Sequence, residues 1–227
     1  MVIKAILFDI DNTLIDFMQM KRKSCEASVD AMIEAGLEVK KEDVLKALYE
    51  LYDKYGIEYQ QIFQKLLKKL EGRINYKIIA SGIIAYRKVK EFYLVSYPNV
   101  IPILISLKKK YRLAVISDAP TLQAWTRLIT MKLDSFFEVV ITKGDVKKQK
   151  TCSTPFKITL KKLKIKPEEA LMLGDRIERD INTAKKLGIK TCFARYGVEN
   201  PPKTGKSGAY FEINKFSDIL KIMEKLK

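Results

Sequence analysis

The chain has 227 residues, 47% of them hydrophobic, with 43 Lys and Arg against 27 Asp and Glu for a formal charge of +16. That is enough apolar material for one large domain, or a domain with a sizeable insertion, and too much for a disordered chain. Histidine is absent, which excludes Ser-His-Asp triads, Cys-His pairs, HExxH zinc sites and any His general base.

Residues 3–8 read as a buried strand, short, apolar and closed by turn-forming Asp and Asn. From about Phe17 to Ser96 the pattern is helical. The stretches "ASVDAMIEAGL", "KEDVLKALYELYDKYG" and "YQQIFQKLLKKLEG" each run into a glycine stop, and "KIIASGIIAYRKVKEFYLV" supplies a fourth helix. After Pro98 the texture alternates. A helix at "VIPILISLKKK" leads to the strand "YRLAVISD", the helix "LQAWTRLITM", the strand "FEVVIT" and the helix "FKITLKKLKI". The strand "ALMLGD", the helix "IERDINTAKKLG", the strand "IKTCFA" and a terminal helix "FSDILKIMEKLK" complete the run. Such alternation predicts an α/β, Rossmann-like open parallel sheet with helices on both faces. The helical block interrupts this run after its first strand. The expected organisation is therefore a core of residues 1–14 and 97–227 with an all-helical domain inserted over 15–96.

Cys25, Cys152 and Cys192 are scattered without CxxC spacing, so neither a disulfide framework nor a structural zinc site is expected. The first apolar run is short and soon followed by charge, and no uncharged stretch approaches bilayer length, so the expectation is a cytoplasmic protein with no membrane contact. The basic excess is uneven: residues 14–96 hold 15 basic and 12 acidic residues, whereas Lys143 to Lys166 holds nine lysines and one acid. An excess of this kind suits nucleic acid, an anionic small substrate, or a lysine-rich surface in a heat-adapted organism. The "KKLKIK" run lacks interleaved aromatics and reads as a solvated helix face, which argues against a nucleic-acid partner. "GKS" at Gly205 to Ser207 is no P-loop, because Asn200 stands where the pattern needs glycine and a strand-like "GAYFEI" follows.

In an open parallel sheet, function gathers outside the carboxyl ends of the strands. The residues at those ends are Asp9 and Asp11, Ser117 and Asp118, and Gly174 and Asp175, with Lys150 in the basic connection after "VVIT". Asp9 and Asp11 are two apart and point the same way along an extended segment, so they repel unless a cation lies between them. With Asp175 they offer hard oxygen ligands suited to Mg²⁺. A metal with open positions beside a lysine favours an oxygen-bearing anion, above all phosphate. The plainer alternatives are a turn at Asp9 and Asp11, a helix cap at Ser117 and Asp118, and a surface place for Asp180.

These residues carry a resemblance. "DIDNT" (Asp9 to Thr13) is similar to the DxDxT motif of the haloacid-dehalogenase-like hydrolases, "VISD" with Ser117 to their second motif, and "GDRIERD" (Gly174 to Asp180) to GDxxxxD. Order, spacing and a helical insertion straight after the first motif resemble the helical-cap phosphatase branch. The third motif departs from the pattern: "KTCSTPFKITL" places Lys150 on the family lysine, with Lys147 and Lys148 close enough to compete. The resemblance implies a Mg²⁺-dependent phosphatase acting on a small phosphorylated metabolite through an aspartyl-phosphate. Asp9 would be the nucleophile, and Asp11 the acid and base. Asp9, Asp175 and the Asp11 residue, through its backbone carbonyl, would hold the metal. Ser117, Asp118 and Lys150 would bind the phosphate, Lys150 also stabilising developing charge. Thr13, its hydroxyl bonded to backbone, and Asp180 would support the site from behind. Similar enzymes act on glyceraldehyde 3-phosphate or phosphoglycolate. Specificity would come from residues such as those between Phe17 and Cys25, and exposed cap helices could pair into a homodimer. A sugar phosphomutase shares every motif. A haloacid dehalogenase would lack Asp11. A nucleic-acid-binding protein with an inert fold is the reading from another class.

Overall fold

The computed structural model describes residues 2–226. The chain divides into two compact units, one running up to Asp16 and again from Val95 onward, the other spanning Phe17–Leu94.

The first unit is built on a six-stranded parallel sheet of β1 (Ala5–Phe8), β2 (Arg112–Ile116), β3 (Val139–Ile141), β4 (Ala170–Gly174), β5 (Lys190–Ala194) and β6 (Phe211–Ile213), in the order β3-β2-β1-β4-β5-β6. β1 and β4 are buried along their whole length and β2 and β5 nearly so. A parallel sheet covered on both faces calls for such unbroken apolar runs. The apolar layer on one face joins Leu7, Ala114, Ile116 and Met172 to Phe156, Leu160, Ala184 and Ile189. Strand order turns back at β1, whose Phe8 pairs with Val115 on one side and Leu173 on the other. The residues just beyond these three strands therefore meet on one rim, at the sheet's topological switch point.

The second unit packs α1 (Phe17–Glu34), α2 (Lys41–Tyr55), α3 (Ile62–Glu71) and α4 (Tyr76–Tyr93) around a core that includes Cys25, Val29, Met32, Leu48, Phe63, Leu66 and Ile79. Asn75 caps α4 by accepting hydrogen bonds from the Lys77 and Ile78 N–H groups, and Gly72 ends α3 in the left-handed region at φ 72°. A side chain at Gly82 would collide with Met32 and Ser28, so this glycine lets α1 and α4 approach closely.

The remaining helices of the first unit are α5 (Val100–Lys108), α6 (Thr121–Thr130), α7 (Lys143–Val146), α8 (Thr154–Leu163), α9 (Asn182–Lys186) and α10 (Ile219–Lys225). Two differ from the pattern expected. α8 stops at Leu163 because Lys164 turns left-handed at φ 48°. The "IERDINTAKKLG" stretch is not one helix: a π-type turn over Ile177–Ile181 precedes α9. The short α7 had no apolar period to announce it. Among the described residues no helix is long and apolar enough to cross a membrane.

Candidate active site

The rim at the switch point is built from four places in the chain. Asp9 follows β1 and stays in its register, its N–H donating to the Leu173 carbonyl at 3.0 Å. The loop then tightens, with the Leu14 N–H on the Ile10 carbonyl and Asn12 at a positive φ of 57°, a conformation asparagine tolerates. Gly197, after β5, lies so close that a Cβ there would fall on the Asn12 carbonyl oxygen. The neighbouring Tyr196 hydroxyl donates to the Thr13 carbonyl at 2.7 Å. Two residues from a distant strand end thus clasp the loop that carries Asp9 and Asp11.

At the centre lies Lys150, 2% exposed, its ammonium 2.5 Å from Asp9 Oδ1 and 2.6 Å from Asp180 Oδ1. Its backbone N–H donates to Asp118 Oδ1 at 2.8 Å, and Asp118 Oδ2 faces Arg179 Nη1 at 3.2 Å. Lys147 and Lys148, the competing lysines, are exposed. The π-type turn sends Asp180 back under the rim, where its Oδ2 accepts from the Arg176 N–H at 3.0 Å. Gly174 leaves the space this carboxylate fills, since a Cβ there would overlap it.

Asp9, Asp175 and Asp180 form a buried cluster in which one oxygen from each carboxylate lies within 4.8 Å of the other two. Burial above all, then the charges of Asp9 and Asp180, push the Asp175 carboxyl well above the usual range. Asp180 is pushed up to about 6 by burial, with Lys150 pulling it back and Asp9 adding to the rise. Burial alone would lower Lys150, but Asp180, Asp9 and Asp118 outweigh it and hold the ammonium charged. Besides Lys150 only the exposed Arg176 approaches the cluster, its Nε 3.6 Å from Asp175 Oδ2, so among the described residues the three buried carboxylates stay short of buried positive charge. Asp175 Oδ1, moreover, is buried with no hydrogen-bond partner among the described residues. An all-oxygen set short of positive charge is what a hard divalent cation fits.

Asp11 stands apart from this cluster. Its Oδ2 accepts from Arg127 Nη1 of α6 at 2.8 Å, so the structure brings Asp180, rather than the Asp11 side chain, beside Asp9 and Asp175. Ser117 is buried and its hydroxyl accepts from the Ala119 N–H at 3.1 Å, a local turn that aims the backbone at the rim. The Thr13 hydroxyl, expected to bond backbone, is buried without a hydrogen-bond partner among the described residues, and the Thr13 carbonyl takes the structural bond instead. Both oxygens of Asp118 are engaged as described, one by the Lys150 N–H and the other by Arg179, so its carboxylate positions Lys150. Sequence reasoning missed Arg127, Tyr196 and Gly197. Only Arg127 left a signal, as a lone cation on the Ala124 and Leu128 face of α6.

The profile of the haloacid dehalogenase-like hydrolases matches residues 6–194. The chain belongs to this family. Among haloacid dehalogenase-like relatives, a glyceraldehyde 3-phosphate phosphatase of Pyrococcus abyssi is 35% identical over 98% of this chain and 94% of its own length. One from Methanocaldococcus jannaschii is 34% identical over 100% and 99%. The crystal structure of a haloacid dehalogenase-family phosphatase from Thermococcus onnurineus superposes with a TM-score of 0.71 at 26% identity, covering 97% of this chain and 98% of that one.

Proposed function

We propose that this haloacid dehalogenase-like phosphatase hydrolyses a small phosphate monoester with Mg²⁺, through an aspartyl-phosphate on Asp9. The observation that carries the reading is the buried Asp9, Asp175 and Asp180 cluster joined to Lys150 at the switch point. Full-length relatives named for glyceraldehyde 3-phosphate make that ester the first substrate to try. The helical unit Phe17–Leu94 is read as the family's specificity-setting cap.

An Asp9 carboxylate oxygen attacks phosphorus, the ester P–O bond breaks, and Asp11 delivers its proton to the departing alkoxide. Asp11, now a carboxylate, takes a proton from water. That water attacks phosphorus, the bond to Asp9 breaks, and phosphate leaves with both aspartates restored. Asp9 and Asp175, with Asp180 beside them, would hold the cation, which when bound offsets the negative charge of the phosphoryl oxygens. Lys150, buried and held charged, stabilises the same oxygens from the other side. Ser117 and the backbone around it orient them. Asp118 and Asp180 hold Lys150 in place, the first through its N–H and the second through its ammonium.

The test is hydrolysis of p-nitrophenyl phosphate and of glyceraldehyde 3-phosphate, with Mg²⁺ and with EDTA, for the natural chain and Asp9→Asn. Metal-dependent phosphate release that Asp9→Asn abolishes is the expected result. Turnover surviving either the substitution or EDTA overturns the mechanism. Transfer of the phosphoryl group to a second sugar hydroxyl in place of water would make the chain a phosphomutase.

A further inference from the structure

We propose that Arg127 is a positioning residue for Asp11, holding the acid–base carboxylate in the attitude from which it serves the leaving oxygen. The inference rests on the role given to Asp11 above and names the partner that role requires. Arg127 is 3% exposed and Asp11 24%, with Nη1 2.8 Å from Oδ2. The two residues are 116 positions apart, on the β1 loop and on α6. Long side chains on a helix lean toward its N-terminus. α6 begins at Thr121, four residues beyond Ser117, so an arginine in its second turn is directed back to the rim. Its neighbours on the inward face are Ala124 and Leu128, a place where a guanidinium incurs a desolvation penalty unless an anion meets it. Arginine suits the task because its charge is permanent and its fork is rigid, so it fixes the direction of a carboxylate where lysine fixes only a distance.

A merely structural ion pair and a positioning pair differ in how rates respond to the leaving group. A nitrophenolate departs without a proton, whereas an alkoxide needs one, so only the alkyl ester depends on Asp11 in the first step. Arg127→Met, measured under single-turnover conditions, is expected to slow the first turnover of glyceraldehyde 3-phosphate by about 10- to 100-fold and that of p-nitrophenyl phosphate by less than about threefold. The aryl ester should then show a burst of nitrophenolate followed by slow turnover, because the aspartyl-phosphate still needs Asp11 to activate water. Arg127→Lys should recover part of the alkyl-ester rate. In an Asp11→Asn background, Arg127→Met should add no further discrimination between the two esters. If Arg127→Met does not fold, Arg127→Lys, which keeps the charge and loses the fork, must itself separate the two substrates. Equal slowing of both esters, or no slowing of either, overturns the proposal and leaves Arg127 a structural pair. Asp9→Asn measured alongside separates the two failures: if it still turns over, the covalent reading is at fault and not the role of Arg127.

Discussion

Lys150→Met removes an ammonium from between Asp9 and Asp180 and keeps most of the side-chain volume. The ammonium lies 2.5 Å and 2.6 Å from two buried carboxylates, with a third, Asp175, in the same cluster. Taking one partner from a buried ion pair costs about 3–5 kcal/mol, because the remaining charge has neither water nor counterion. For a unit of this size that lowers the melting temperature by about 10 °C. Thermal unfolding in EDTA at neutral pH should show this fall. Two conditions should shrink it. Mg²⁺ supplies the missing charge. Acidification lets Asp175 and Asp180, both pushed upward, take protons in place of the ammonium. The sign is fixed by direction. Because the folded state raises Lys150, its contribution is complete below its ordinary 10.5 and is lost only in stronger alkali. The natural chain therefore keeps the contribution throughout the acid and neutral range. Adding Asp180→Asn to Lys150→Met should destabilise by less than the sum of the single changes. A melting temperature unchanged in EDTA, or a loss equally large at pH 4.5 and 7.5, would show that the Lys150 ammonium does not offset these carboxylates.

The metal-free natural chain should lose stability as pH rises from about 4 through 6 and on toward neutrality, since its folded state holds protons on Asp175 and Asp180 that the unfolded chain has released. For Asp180, raised from 3.8 to about 6, the effect is about 3 kcal/mol at neutral pH. Added Mg²⁺ should reverse it, and a metal-free stability that climbs over that interval contradicts the charge assignment. Gly174→Ala and Gly197→Ala set a methyl group against the Asp180 carboxylate and the Asn12 carbonyl. Each should cost about 1–3 kcal/mol, and Gly174→Ala should also weaken Mg²⁺ binding by calorimetry. Unchanged unfolding curves would show that these approaches are not tight. Of the three thiols, Cys152 is half-buried, and hydrogen bonding with Thr154 holds it below the usual range, whereas burial pushes Cys25 up to about 11 and raises Cys192 further. A thiol reagent should find one fast group in the native protein and three after denaturation. Three fast groups at the outset would count against the packing described.

For the buried strands and most helix ends, local physical rules let the sequence alone determine the outcome. Buried parallel strands demand unbroken apolar runs, so β1, β2, β4 and β5 were legible as such, and the glycine after α3 marked its end. The absence of histidine confined the chemistry to carboxylates, hydroxyls, lysines, arginines and backbone. The rule that function gathers at strand ends pointed to Asp9, Asp11, Ser117 and Asp175 as residues at the ends of β1, β2 and β4 before any contact was known. α8 was overextended because nothing in "LKIK" announces that Lys164 turns left-handed. The "IERDINTAKKLG" stretch has a helical period, and only the packing of Asp180 against Gly174 turns its first part into a π-type turn. Pairings across long separations were beyond reach for a different reason. Arg127 meets Asp11 over 116 residues, and Tyr196 meets Thr13 over 183. A residue's own neighbours fix its conformation, but which charge it meets depends on strand order and helix placement, and those are properties of the whole fold. Tertiary structure therefore buried Lys150, the lysine the sequence had favoured over Lys147 and Lys148, and it alone set Asp180 beside Asp9 and gave the Asp11 side chain to an arginine.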